Sequence, residues 1–232
     1  AVARLPVVVI GAGIGGASAA LAISRSHPVV VIDAVGLAAG ASGVSAGLVN
    51  AFTGRKAARG WRGTEARRAL DRLADAAGAP MRASGVLRPV GDEKQARAFR
   101  ASASAWPEEA LFVEAEAARE RWPHIEAFHG ALWIPAGGHI DVPRLVRGAL
   151  DAAGRLGAET RLGVRLLGWR DDTDHVVAIT DQGDVPASHL VLCPGATPLP
   201  ALGAFPFGRV KGQTVTLDAR LPAGAPAVAG GT

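Results

Sequence analysis

Gly11, Gly13 and Gly16 stand in a Gly-x-Gly-x-x-Gly pattern, and Asp33 follows 22 residues after the first glycine (33 − 11 = 22). Each residue type has a chemical reason at its place. Gly11 permits a tight turn. Gly13 lets a pyrophosphate approach the backbone where a Cβ would block it, and Gly16 lets a following helix pack close to a preceding strand. A helix starting here presents unpaired N–H groups and a partial positive charge to phosphate oxygens. Asp33 is suited to accept hydrogen bonds from both hydroxyls of an adenosine ribose. Its charge would repel a 2′-phosphate, which weighs against NADP. The chemistry implied is dinucleotide binding.

The elements that must position these residues are legible around them. Val7–Ile10 is a β-branched run without polar alternation, as expected of a strand buried on both faces of a parallel sheet. Ala17–Arg25 is rich in helix formers, and a second apolar run, Val29–Ile32, ends at Asp33. Together they predict a β–turn–α–β unit. Residues 35–60 are rich in Gly, Ala and Ser and read as one extended loop, long enough to imply a function. Further along, helices are predicted over Trp61–Ala77, Lys94–Trp106, Glu114–Trp122 and Pro143–Leu156. Strands are predicted over Gly85–Val90, Ala131–Pro135, Arg161–Trp169, Val176–Thr180, Leu190–Cys193 and Val210–Leu217.

Composition narrows the class. In 232 residues, 49% are hydrophobic, which excludes a disordered chain. Cys193 is the only cysteine, so an internal disulfide framework and a multi-cysteine metal site are excluded. No metal site is expected. No apolar run reaches the ~18 residues needed to span a bilayer. A cytoplasmic location is expected, and the start at Ala1 suggests residues missing upstream. The net charge of +4 is a small field spread along the chain, so nucleic acid is not the expected partner. The one dense basic cluster is Arg55, Lys56, Arg59, Arg62, Arg67 and Arg68, in which Arg55, Arg59 and Arg62 would share a face if helical.

An ordered set of further segments carries a resemblance. Gly40-Ala-Ser-Gly-Val-Ser-Ala-Gly-Leu-Val-Asn50 resembles the flavin-proximal segment of the D-amino-acid oxidase-like family, which includes the glycine and sarcosine oxidases. Asn50-Ala-Phe-Thr-Gly-Arg-Lys56 to Trp61 resembles one branch of it. Gly85–Arg88, Gly138–Leu145, Leu190–Ala196 and Lys211-Gly-Gln213 match family stretches in the same order. The resemblance implies an α/β fold: a Rossmann-like FAD-binding domain with a central parallel sheet, over 1–82 and 144–206. It also implies a discontinuous, mainly antiparallel α+β substrate domain over 83–143 and 207–232, incomplete because family members continue beyond this length.

The resemblance further implies FAD as cofactor. Gly11, Gly13 and Gly16 would line its pyrophosphate and Asp33 its ribose. Ser42 and Gly43 would touch the pyrophosphate and ribityl region, and Ala46, Gly47 and Leu48 would run past the isoalloxazine ring. Val164 would meet the adenine through its backbone, and Gly195 and Ala196 would close over the ADP part. Asp33 stands where a Glu is usual, His27 where a glycine is common, and Ala51 where the branch has proline. The implied reaction is hydride transfer from the amine-bearing carbon of a small amine or amino acid to flavin N5, with oxygen or another acceptor taking the electrons.

On the substrate side the candidates are few. Arg55 and Lys56 are candidates to hold an anion, and His139, read as lying in a glycine turn, to face the site. Relatives often use a tyrosine hydroxyl, and this chain has no tyrosine. Trp106, Trp122, Trp133 and Trp169 are read as core, and Cys193 as an inert buried thiol. Two other readings stay open at this point: the oxidase module of a tRNA-modifying enzyme, and a non-catalytic dinucleotide-binding subunit. The oligomeric state is not legible.

Overall fold

The structure, a computed structural model, describes residues 4–199, 202–203, 208, 212, 214–215, 218 and 221–230. In chain order the first half holds β1 (Val7–Ile10), α1 (Ile14–Ile23), β2 (Val29–Asp33), β3 (Gly47–Val49), β4 (Phe52–Thr53), β5 (Ala58–Arg59), α2 (Gly63–Ala77), β6 (Val86–Pro89), α3 (Glu93–Ala105), β7 (Leu111–Val113) and α4 (Ala115–Arg121). The second half holds β8 (Ala131–Ile134), β9 (Gly138–Ile140), α5 (Val142–Arg155), β10 (Glu159–Leu162), β11 (Leu166–Asp171), β12 (Val176–Thr180), β13 (Gly183–Ala187), β14 (His189–Leu192) and β15 (Ala227–Val228). The fold is α/β, with a Rossmann-like parallel sheet and separate antiparallel sheets. The chain divides into two compact units: residues 1–45, 72–80 and 141–215, and residues 46–71, 81–140 and 216–232.

The first unit is built on the parallel sheet β10-β2-β1-β14. All four residues of β1 are buried, because β1 lies between β2 and β14 and is covered on both faces. α1 buries Gly16, Ala17, Ala20 and Leu21, and packs against α5. Small side chains let the two helices approach. α5 is started by Asp141, whose carboxylate accepts the Arg144 N–H at 2.9 Å, with Pro143 in the first turn. The antiparallel sheet β11-β12-β13 contributes Ala178 and Ala187 to the core formed by Val8, Ile10, Val30 and Ile32.

The second unit centres on the sheet β15-β6-β8-β7, with β6, β7 and β8 antiparallel and β15 parallel to β6. One face packs Val86, Leu132 and Ile134 against Phe52 and Phe99, and the other packs Leu87 against Ala118 and Trp122. The two-stranded ribbons β3–β9 and β4–β5 complete the unit.

Several local expectations are corrected. Residues 35–60 are not one loop. They contain a short 3-10 turn at Ala41–Gly43 and strands β3, β4 and β5, whose pairing partners lie partly far along the chain. The single strand expected over Arg161–Trp169 is two strands in different sheets, broken at Gly163, whose φ is +74°. β13 was hidden by Pro186, which is tolerated because β13 is an edge strand. Arg55, Arg59 and Arg62 share no helix face. Arg55 lies between β4 and β5, Arg59 ends β5, and Arg62 precedes α2 with φ +52°. Trp106 is 41% exposed, with the Arg59 guanidinium 4.3 Å from its ring centroid, rather than core. Within the expected strand Val210–Leu217 and the Lys211-Gly-Gln213 stretch, Val210, Lys211, Gln213, Thr216 and Leu217 lie outside the described residues.

One buried cation organises the second unit. Arg88, in the middle of β6, is 5% exposed. Its guanidinium donates to the Phe52 carbonyl at 2.9 Å and the Gly54 carbonyl at 2.7 Å, and lies 4.8 Å from the Phe99 ring centroid. Burial lowers its pKa from the usual arginine value. Replacing it by Arg88→Met keeps most of the packing volume but takes the donor from the Phe52 carbonyl, whereas Gly54 keeps the Ala57 N–H at 3.1 Å, at a cost of about 2 kcal/mol. Urea unfolding of the full chain should show that loss, and Arg88→Lys should recover part of it.

Candidate functional site

The glycine turn between β1 and α1 is set by backbone packing. The Gly11 N–H donates to the Ile32 carbonyl at 2.7 Å, and the Cys193 N–H to the Ile10 carbonyl at 2.8 Å, which draws the ends of β1, β2 and β14 together. A Cβ on Gly11 would sit 2.2 Å from the Cys193 carbonyl oxygen, and one on Gly16 1.7 Å from the Gly11 carbonyl oxygen. The chain itself therefore demands both glycines. Gly13 is different. A Cβ there would meet only Ser42, with Oγ at 3.1 Å. That contact is tight, but it is with one side chain and not with backbone, so Ser42 would have to give by a few tenths of an ångström.

α1 has no acidic residue in its first turn. The Ile14 N–H donates to Ser42 Oγ at 3.0 Å, so Ser42, 28 residues on, serves as the cap that Gly13 lacks. The N–H groups that follow are those that helix geometry leaves without an intrahelical partner. Asp33 ties this corner together. Its Oδ2 accepts the Ala12 N–H at 2.8 Å, and its Oδ1 accepts the Val35 and Gly36 N–H groups at 2.8 and 2.9 Å. A carboxylate has about four acceptor positions. Three are used, which leaves one, on Oδ2, for a ribose hydroxyl.

The structure brings Gly11, Gly13, Gly16, Asp33, Ser42 and Gly43 together in the first unit, with Val164 and Gly195 attached to the same sheet. The Val164 N–H is taken by the Asp33 carbonyl at 3.0 Å, so a backbone contact from Val164 to a ligand would use its C=O. Gly195 and Ala196 form the turn after β14, with Gly195 at φ +60°. Cys193 is half-buried beside this turn, and burial raises its thiol pKa from the ordinary value.

Ala46, Gly47, Leu48, Arg55, Lys56 and His139 belong to the second unit. His139 is not in a turn. It lies on β9, directly opposite Leu48 on β3. Arg55 and Lys56 sit on the exposed β4–β5 turn, where Arg55 pairs with Asp92 at 3.3 Å. Arg82 escaped the sequence reading. It bridges to His139 through two backbone hydrogen bonds of 2.9 and 3.1 Å, and no local pattern marks a partner 57 residues away (139 − 82).

Comparison with known proteins places this geometry. The model of a family described as FAD dependent oxidoreductase, DAO, matches residues 6–230. The chain belongs to the DAO family of FAD-dependent oxidoreductases. Among solved structures, glycine oxidase from Geobacillus kaustophilus is similar with 24% identity and a TM-score of 0.74, over 83% of this chain and 56% of that one. L-proline dehydrogenase from P. horikoshii is similar at 19% identity with a TM-score of 0.67, over 83% and 53%. NikD, described as an unusual amino acid oxidase essential for nikkomycin biosynthesis, is similar at 20% identity with a TM-score of 0.66, over 83% and 51%. The chain thus spans about half the length of these DAO-fold structures. No curated protein matches it.

The residues of this DAO-family chain fit the ADP half of FAD. The lack of a side chain at Gly13, the free acceptor position on Asp33 and the acid-free start of α1 suit a diphosphate and a ribose. Gly13→Ala should remain folded, with a thermal midpoint within a few degrees, yet lose FAD in a binding titration. Gly16→Ala should fail to fold, because its Cβ collides with backbone rather than with a movable side chain. Cys193 should alkylate with iodoacetamide several-fold more slowly at pH 8 than free cysteine, since burial suppresses its thiolate.

Proposed function

We propose that the protein is an FAD-dependent oxidoreductase that oxidises a C–N bond of a small amine or amino acid, with oxygen or another acceptor taking the electrons. FAD would supply the redox chemistry, accepting a hydride equivalent at its N5. The observation that carries this reading is the glycine turn opening onto the acid-free start of α1, with Asp33 beside it, in a chain that belongs to a FAD-dependent family.

The chain's own residues have separable tasks. The first-turn amides of α1 bind diphosphate, and Asp33 holds the glycine turn and one ribose hydroxyl. Ser42 anchors the following loop to the helix start. Gly47 and Leu48 on β3 present a narrow, uncharged strand along which a flat ring system can lie. An amine that binds uncharged needs no strong base to lose a hydride, so a paired catalytic dyad is not required. The glycine oxidase, amino acid oxidase and proline dehydrogenase structures named above support an amino compound as substrate.

The basic cluster favours a small substrate over RNA. Arg55, Arg59, Arg62 and Arg67 are paired with Asp92, Glu109, Glu65 and Asp71 respectively, which removes most of the field a polyanion would read.

The purified full-length protein should be yellow and should release FAD on denaturation. Its absorption should bleach when a substrate from an amine and amino-acid panel is added without oxygen, and return on aeration. A colourless, folded protein that takes up no added FAD would overturn the proposal.

A further inference from the structure

One edge of the parallel sheet is open and marked by charge. β10 pairs with β2 on one side and, among the described residues, with no strand on the other. Alternate residues of such an edge turn their N–H and C=O groups outward, which makes a template for another strand. The other edges of the first unit suit that less. β13 carries Pro186, which has no N–H, and the pairing of β11 is disturbed by a bulge between Leu166 and Gly168. β14, at the far side of the parallel sheet, reads His189-Leu-Val-Leu192 and holds no opposite charges to fix a register.

The two faces of β10 differ. Ala158, just before the strand, and Thr160 and Leu162 alternate along it, and with Leu37 and Leu150 they line an open groove of about 520 Å³. Leu162 is 45% exposed. Glu159 and Arg161 project to the opposite face. There the Arg161 guanidinium donates to the Glu159 carboxylate at 2.8 and 3.1 Å. The edge thus shows small and apolar side chains on one face, and one cation and one anion two residues apart on the other.

We infer that β10 is the seam of a homodimer, pairing antiparallel with β10 of a second copy about a two-fold axis at Thr160. About that axis Glu159 stands opposite Arg161 of the second copy, and Arg161 opposite Glu159 of the second copy. The seam therefore holds two cross-strand ion pairs. On the groove face Thr160 meets its own counterpart, and Leu162 meets Ala158. A shift of two residues, the smallest that keeps each face on its own side, sets Arg161 against Arg161 or Glu159 against Glu159. Like charges directly opposite repel, so the charges select one register. An edge complementary to itself is what a two-fold interface requires. Two four-stranded sheets become one. A seam of four residues a side is short, so the dimer should be weak, with a dissociation constant on the order of 10 μM. The inference is independent of the reaction proposed above.

Sedimentation equilibrium of the full-length protein, from about 1 μM to about 1 mM, should show monomer and dimer in exchange. Arg161→Glu and Glu159→Arg should each weaken the dimer by on the order of 10-fold or more. Mixing those two variants should restore association as a heterodimer, and the double exchange Glu159→Arg with Arg161→Glu should restore the homodimer. Thr160→Cys, at the axis, should give a disulfide-linked dimer on mild oxidation, because opposed residues of paired strands lie within disulfide reach. The wild type, whose only cysteine is the half-buried Cys193, should not. That cross-link also decides the matter if a charge variant fails to fold. A wild type that stays monomeric at the highest concentration would overturn the inference. So would a dimer indifferent to both charge reversals, or a folded Thr160→Cys that forms no cross-link.

Discussion

The approach of Gly16 to the carbonyl of Gly11 is the contact on which the rest of the first unit depends. A side chain at Gly16 would overlap that oxygen at 1.7 Å, so α1 can lie against β1 only because none is there. From this seat α1 packs on α5 through small residues, and its N-terminus opens at the end of the parallel sheet. Strand ends in such sheets are where helix dipoles and unpaired amides converge on one point. Asp33 and Ser42 then tie the two following segments to that point by hydrogen bonds to Ala12 and Ile14. The dinucleotide pattern is therefore first a packing device. Gly13 differs from the other two in that its neighbour is a side chain, Ser42, and not backbone.

The second unit uses its arginines as internal fasteners. Arg88 closes β6 onto the β4 segment through carbonyls, and Arg59 bonds Glu109 through two nitrogens while stacking on Trp106. Arg100 pairs with Glu114 and lies over Phe112. Hydrogen bonding to Glu109 and Glu114 raises the pKa of Arg59 and Arg100 above the usual arginine value. A composition rich in arginine thus becomes a set of local ties instead of one basic surface.

Family membership and geometry carry different weights. The family rests on a match over nearly the whole chain, whereas the solved structures, at 24% identity or less among those compared, speak for the fold. The residues that would hold the ADP moiety come from the first unit.

The amino-acid sequence by itself determined the β–turn–α–β start, the helices and the cofactor class, because these depend on short-range patterns: a buried β-branched run, glycines at fixed spacing and an acid at the end of β2. It also carried a resemblance strong enough to name the family. It did not determine the β3–β9 and β4–β5 ribbons, the break at Gly163 between β10 and β11, or the partners of its arginines. Those depend on which strands meet, and a two- or three-residue strand has too little periodicity to announce itself. Asp33 was legible as an acid at the right place, but only the folded chain shows it spending three acceptor positions on backbone amides. The row Leu48–His139–Arg82 joins residues up to 91 positions apart (139 − 48). Cross-strand register alone put them on one face, and register is a property of the tertiary structure.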